Sequence, residues 1–224
     1  MKPRRLAPGL ALIFDMDGVV IDSNPVHREV WAEFCRRDGV EATEEMLRFM
    51  YGRRNDQIVR HYFGEGLPAD EVAARGAARD ALYREIVAER LGNILIPGVR
   101  EFLESYREAP MALATNADAA TADFLLDRAG LRSYFRVVIN GQQVKHPKPD
   151  PEIYLRAAAV LETDPADCIV FEDSHLGVEA AQLAGTRIVG LSTTEVNLPG
   201  TRITVDNFVS GQLSEWLQAQ RRIA

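Results

Sequence analysis

Two pairs of acids in this chain each close an apolar run. Asp15 and Asp17 follow Ile13-Phe14 and precede Gly18, and Glu172 and Asp173 follow Ile169-Val170-Phe171. Between the pairs lie Thr115-Asn116, after Met111 to Ala114, and Lys148, in His146-Pro147-Lys148-Pro149. If these residues share one pocket, its carboxylates repel one another and one lysine does not balance them. A hard dication with oxygen ligands relieves the repulsion, and Mg²⁺ is the usual one when the ligand is a phosphate. Protonating one acid relieves it further, and Asp17 is the residue expected to carry that proton. Each feature has a plainer explanation by itself. Asp15 and Asp17 read as an acidic turn, Thr115 and Glu172-Asp173 as helix caps, and Lys148 as a solvated loop residue.

The surrounding elements argue for the shared pocket. Leu10–Phe14 reads as a buried strand, and further strands are expected over Met111–Ala114, Phe135–Ile139, Cys168–Phe171, Arg187–Leu191 and Ile203–Val205. Helical patterns alternate with them over Val99–Arg107, Ala119–Arg128, Pro151–Leu161, His175–Ala184 and Gln212–Gln220. Such alternation implies a parallel sheet covered on both faces. Ligands bind such a sheet beyond the carboxyl ends of its strands, which is where all these polar residues fall.

The stretch from Pro25 to Leu91 is helical in pattern throughout, with turns at Asp38-Gly39, Gly52 and Gly64 to Pro68. Asn24 is expected to cap its first helix, with Pro25 at the first helical position. The expected fold class is α/β: a Rossmann-like parallel sheet with a helical cap inserted after the first strand. Residues 1–22 and 96–224 would form the core, and 23–95 the cap.

Composition narrows the partners. A net charge of −7 argues against a nucleic-acid ligand. No apolar run reaches the roughly 20 residues of a membrane span. Cys35 and Cys168 are far apart in sequence and read as packed thiols, which suits a reducing compartment, so a soluble cytoplasmic protein is expected.

The run Asp15-Met16-Asp17-Gly18-Val19-Val20, then Thr115, then Lys148-Pro149, then Glu172-Asp173-Ser174-His175-Leu176-Gly177 resembles the four ordered motifs of the haloacid dehalogenase-like hydrolase superfamily. The helical block resembles the cap of the subfamily that includes phosphoglycolate phosphatases, sugar phosphatases and β-phosphoglucomutases. The resemblance implies a nucleophile at Asp15, which would form an aspartyl-phosphate, and a general acid/base at Asp17. It implies phosphoryl contacts from Thr115, the Asn116 backbone and Lys148. It also implies Mg²⁺ at Asp15, Asp173 and the Asp17 backbone carbonyl, with Glu172 supporting directly or through water. The expected substrate is a small phosphorylated metabolite, and the expected state is a monomer. Asp17 argues against dehalogenation, which needs no proton donor there.

A phosphosugar mutase of the β-phosphoglucomutase kind is the alternative. For it stand His27, matching a mutase histidine near the acid/base aspartate, and Arg53-Arg54 on a cap loop, where Arg54 better matches the arginine that holds a second phosphate. Against it stands Ala117-Asp118-Ala119, which puts an acid where mutases grip the distal phosphate with Lys-Asn. Hydrolysis is therefore preferred. Phosphonatase chemistry needs a cap lysine, and residues 22–95 contain none. A non-catalytic binding protein would be expected to lack Asp15 or Lys148. The cap's hinges are expected near Asp22-Ser23 and Ile96-Pro97.

Overall fold

A computed structural model describes residues 6–90 and 94–220. Six parallel strands form one sheet: β1 (Ala11–Phe14), β2 (Met111–Ala114), β3 (Val137–Ile139), β4 (Cys168–Glu172), β5 (Arg187–Leu191) and β6 (Ile203–Val205). Their order is β3-β2-β1-β4-β5-β6. The order reverses direction at β1, which pairs with both β2 and β4, so the carboxyl ends of these three strands border the crevice where such sheets bind ligands.

The continuous apolar strands follow from burial on both faces. Ala11 and Ile13 join one cluster, with Ala112, Ala114, Val170 and the small residues of α7 (Glu152–Val160) and α8 (His175–Leu183). Leu12 and Phe14 face a second cluster, with Leu113 and Ile169. There Phe14 stacks on Phe171 with ring centroids 4.6 Å apart. The helices α5 (Val99–Ser105), α6 (Ala119–Ala129) and α9 (Gly211–Ala219) supply apolar residues to this second face. The strand expected from Phe135 begins only at Val137, because Arg132–Tyr134 form a single helical turn and Phe135 joins the core beside the Phe14 ring.

Between β1 and α5 stand four helices: α1 (Asn24–Arg37), α2 (Glu44–Phe49), α3 (Asn55–Phe63) and α4 (Ala69–Ala88). They enclose their own apolar cluster, built from Trp31, Cys35, Leu47, Met50, Ile58, Val59, Tyr62 and Val72. We call this inserted helical segment the cap. The chain enters and leaves it along one narrow ribbon: Ile21 bridges Leu95 antiparallel, Asp22 N donates to Ile94 O at 2.6 Å, and Ile96 N donates to Val20 O at 3.1 Å. Residues 91–93, next to the expected cap boundary, lie outside the described residues.

Asn24 does not cap α1. Ser23 precedes the helix and Asn24 is its first residue, which leaves the Asn24 side chain free to reach across to Asp173, 3.3 Å away.

Candidate active site

Lys148 is the centre of the arrangement. It is 2% exposed, and its ammonium donates to Asp15 Oδ1 at 2.7 Å, Glu172 Oε1 at 2.6 Å and the Ala114 carbonyl at 3.2 Å. Its three protons are thus matched by three acceptors at the ends of β1, β4 and β2. Burying an ammonium is costly unless it is paired, and two carboxylates offset the cost. Burial opposes the Lys148 charge, but Asp15 and Glu172 outweigh burial and raise its pKa.

Glu172 is fully enclosed. Its Oε1 accepts from Lys148 and from the Tyr154 hydroxyl at 2.6 Å. Its Oε2 accepts from the Asp173 and Ser174 amides at 3.0 and 3.2 Å and from Ser174 Oγ at 3.1 Å. The side chain therefore ties the lysine to the start of α8. Gly177 lies against it: a Cβ there would come within 1.8 Å of the Glu172 carboxylate, so only glycine fits. Ser174, not Glu172 or Asp173, caps α8, accepting from Gly177 N at 3.1 Å.

The donor set suits a dication. One oxygen each from Asp15, Glu172 and Asp173 lie within 4.8 Å of one another. Burial raises the Asp15 carboxyl to about 7 although Lys148 pulls it down, and burial with Glu172 and Asp15 nearby holds Asp173 well above the carboxylate range. Buried acids held up in this way are drawn back to ionisation by a bound cation. Asp173 is held by Asn24 and by the Thr194 hydroxyl. Gly18, at φ +73°, leaves room for it: a Cβ would meet Asp173 Oδ2 at 1.8 Å.

Asp17 faces the cap. Its Oδ1 accepts from Ser23 Oγ at 2.5 Å and from His27 Nε2 at 3.0 Å. Arg79 contacts His27 Nδ1 from the other side. A guanidinium only donates, so Nδ1 accepts and the His27 proton sits on Nε2, aimed at Asp17. The ring lies flat on Tyr83, with centroids 4.2 Å apart. Burial opposes the Asp17 charge, but His27, Ser23 and Arg79 outweigh it and hold the carboxyl below its ordinary value. This direction opposes the proton expected on Asp17. The Arg79 cation and the donors that act on Asp17 come from residues 23–79, which the strand-end argument left out.

Thr115 and Asn116 follow β2. Thr115 is 1% exposed and accepts from Ala117 N at 3.1 Å, while Asp118 caps α6. Asn116 Nδ2 donates across to the cap at Gly52 O, 2.9 Å away, and its Oδ1 is buried with no partner.

One cleft of about 700 Å³, counting space open to solvent, is lined by Asp15, Asp17, Thr115, Asn116, Lys148 and Asp173 from the core. His27, Arg53, Asn55, Arg79 and Asp80 line it from the cap. The two adjacent arginines separate here. Arg53 lines the cleft, donating to the Phe49 carbonyl at 2.7 Å and lying over the Phe49 ring. Arg54 does not line the cleft. It makes a bidentate pair with Asp56 at 2.8 and 2.7 Å and reaches the core at Gly141 O, 3.2 Å away. The expectation that Arg54 is the better anion ligand of the pair therefore does not fit: Asp56, two residues on, occupies its guanidinium.

Sequence reasoning missed Asn55, Arg79 and Asp80. A signal existed, since Arg79 and Asp80 interrupt the buried stripe Val72, Gly76, Tyr83, Val87 of α4. Charged residues on a buried stripe are rare unless paired.

The haloacid dehalogenase-like hydrolase family model matches residues 10–185. A phosphorylated carbohydrates phosphatase of Thermotoga maritima is 38% identical over 81% of this chain and 84% of its own. A fructose-1-phosphate phosphatase of Escherichia coli is 32% identical over 78% of this chain and 92% of its own. The chain belongs to the haloacid dehalogenase-like hydrolase family. It is an enzyme of that family's phosphatase type. The crystal structure of a β-phosphoglucomutase from Clostridium difficile shares its fold, with a TM-score of 0.82 at 23% identity over 92% of this chain and 96% of that one. Among the described residues, no helix is long and apolar enough to cross a membrane.

Proposed function

We propose that this hydrolase is a Mg²⁺-dependent phosphatase of a small sugar or polyol monophosphate, acting through an aspartyl-phosphate on Asp15. The observation that carries the reading is the Lys148 ammonium 2.7 Å from Asp15 Oδ1, inside a cleft that also holds Asp17, Thr115 and Asp173. The substrate class is supported by relatives that act on phosphorylated carbohydrates and fructose 1-phosphate.

Asp15 attacks phosphorus, and the ester P–O bond breaks as Asp17 gives its proton to the departing alkoxide. Water then attacks phosphorus, Asp17 takes the water proton, and the Asp15–phosphorus bond breaks to release inorganic phosphate. Asp17 starts as a carboxylate, and the phosphate charge docking beside it favours uptake of the proton it donates. His27 and Ser23 both occupy Oδ1, so the transferable proton belongs on Oδ2. Thr115 and the Asn116 amide hold phosphoryl oxygens, and Lys148 turns one proton toward them from its longest contact, Ala114 O. Asp15, Asp173 and the Asp17 carbonyl would hold Mg²⁺, which when bound neutralises developing phosphoryl charge. Glu172 keeps Lys148 in place and would support that ion directly or through water.

His27 and Arg79 position the acid. His27→Ala is expected to lower kcat about tenfold on an alkyl phosphate, since one of two Asp17 donors is lost. Steady-state kinetics beside a thermal melt checks this, and a full-rate variant removes His27 from the mechanism.

Mg²⁺ is expected to raise the melting temperature, because the ion binds the folded cluster and not the unfolded chain. At a hundredfold excess over Kd the gain is about 2.7 kcal/mol. Asp173→Asn is expected to lose most of that shift, and an equal shift in the variant would place the ion elsewhere.

The direct test is phosphate release with Mg²⁺ over sugar and polyol monophosphates, run beside a hexose-phosphate isomerisation assay primed with a bisphosphate. Isomer formation faster than release would make the protein a mutase. The cap must open to admit substrate, breaking Asn116–Gly52 and Arg54–Gly141, and we place its hinges at 22–23 and 96–97. A cytoplasmic monomer is part of the same reading.

A further inference from the structure

The cap wall of the cleft carries buried polar groups that the phosphoryl chemistry does not use. Asp80 is 8% exposed, and its Oδ1 accepts from Asn55 Nδ2 at 2.6 Å and Arg79 at 3.0 Å. On the core side the carboxyl hydrogen-bonds another acid, Asp118, which also accepts from the Thr121 amide and hydroxyl at 3.1 and 2.6 Å. Burial and this neighbour raise Asp80 to about 6 against the pull of Arg79. Two buried atoms of residues lining the cleft lack partners: Asn116 Oδ1, an acceptor, and Arg79 Nε, a donor. Unsatisfied buried polar atoms are rare and call for a ligand, a water or a function.

This set has a definite polarity. One acceptor and one donor lack partners, and the Asp80 carboxyl lines the same cleft beside them. A hydroxyl both donates and accepts, so it satisfies either kind. A phosphate brings only acceptors and negative charge, and it would face Asp80 and Asp118 together. An apolar group would leave both atoms unpaired.

We propose that Asp80 is a specificity-determining residue: it accepts a hydroxyl hydrogen from the leaving group and so commits the cleft to a neutral, polyhydroxylated alcohol bearing a single phosphate. The inference rests on the phosphatase reading above and adds the residue that reads the alcohol. Asn55 orients the carboxylate, and Arg79 divides its protons between Asp80 and His27. Selection of the alcohol is thereby linked through one guanidinium to the residue that steadies Asp17. Arg53 is the cation a second phosphate would seek, and a bisphosphate weighs it directly against Asp80.

The test uses the full chain with Mg²⁺, as wild type and as Asp80→Asn. The substrates are sorbitol 6-phosphate, fructose 1,6-bisphosphate and p-nitrophenyl phosphate. Wild type is expected to favour the hexitol monophosphate over the bisphosphate by about tenfold or more in kcat/KM. In Asp80→Asn the ratio of kcat/KM on sorbitol 6-phosphate to that on p-nitrophenyl phosphate is expected to fall about tenfold, mostly through KM. Its preference for monophosphate over bisphosphate is expected to shrink as well. A purely structural role would lower both rates together and leave the ratio unchanged, which overturns the proposal. A wild type that prefers the bisphosphate also overturns it, and this arm needs no variant to fold. Phosphate release from none of the three, p-nitrophenyl phosphate included, would instead sink the phosphatase reading itself.

Discussion

Asp15→Asn is expected to lose phosphate release by at least about a thousandfold while keeping its fold. The amide cannot form the phosphorus–oxygen bond, and nothing else nearby is placed to substitute. Asp17 is tied to the cap by Ser23 and His27, Glu172 is enclosed on both oxygens, and Asp173 is held by Asn24 and Thr194. Stability should hold or rise. Burial raises the Asp15 carboxyl to about 7, so its ionised form is strained at neutral pH, and an amide removes that strain. Single-turnover phosphate release beside a thermal melt makes the comparison. More than a tenth of the wild-type rate would show that Asp15 is not the nucleophile.

Lys148→Met should damage both activity and stability. The ammonium lies between two buried carboxylates, 2.7 Å from Asp15 and 2.6 Å from Glu172. Removing it leaves both unpaired, a loss of about 3 to 5 kcal/mol by the usual cost of breaking a buried ion pair. The loss should depend on pH in a definite sense. A buried carboxyl without its cation has a folded pKa above its unfolded value, so the native state binds the extra proton and stability falls as pH rises. Asp15 already stands at about 7 with the lysine present, so the penalty should grow from the ordinary carboxylate range up through neutrality. Urea unfolding at pH 5 and pH 8 reads this directly, and equal losses at the two would contradict it. Phosphate release should fall at least about a thousandfold, since the phosphoryl group loses its buried counter-charge.

The core was legible because its rules are local. β1, β2 and β4 are short apolar runs buried on both faces, and Asp15, Thr115 and Glu172 stand at their ends or directly after them. Asp15, Thr115 and Glu172 need only the rule that such sheets bind ligands beyond their carboxyl ends. The cap resisted for a physical reason: its helices meet in an order that periodicity does not encode. Arg79 and Asp80 sit on the inward face of α4, where an apolar pair would read as ordinary packing. Their partners, His27 and Asn55, come from two other helices. Arg53 and Arg54 are adjacent and alike in sequence, yet Asp56 captures one of them and the other faces the cleft. Asn24 carries the chemistry of a cap residue, and the position of Ser23 frees it for Asp173.

The ribbon joining Ile21 to Leu95 carries a consequence for how such an enzyme diversifies. Both ends of a long excursion are pinned side by side, so the sheet does not register how long the excursion is or what it contains. A chimera that keeps residues 20–22 and 94–96 and exchanges the helices between them should inherit its reactivity from one parent and its choice of alcohol from the other.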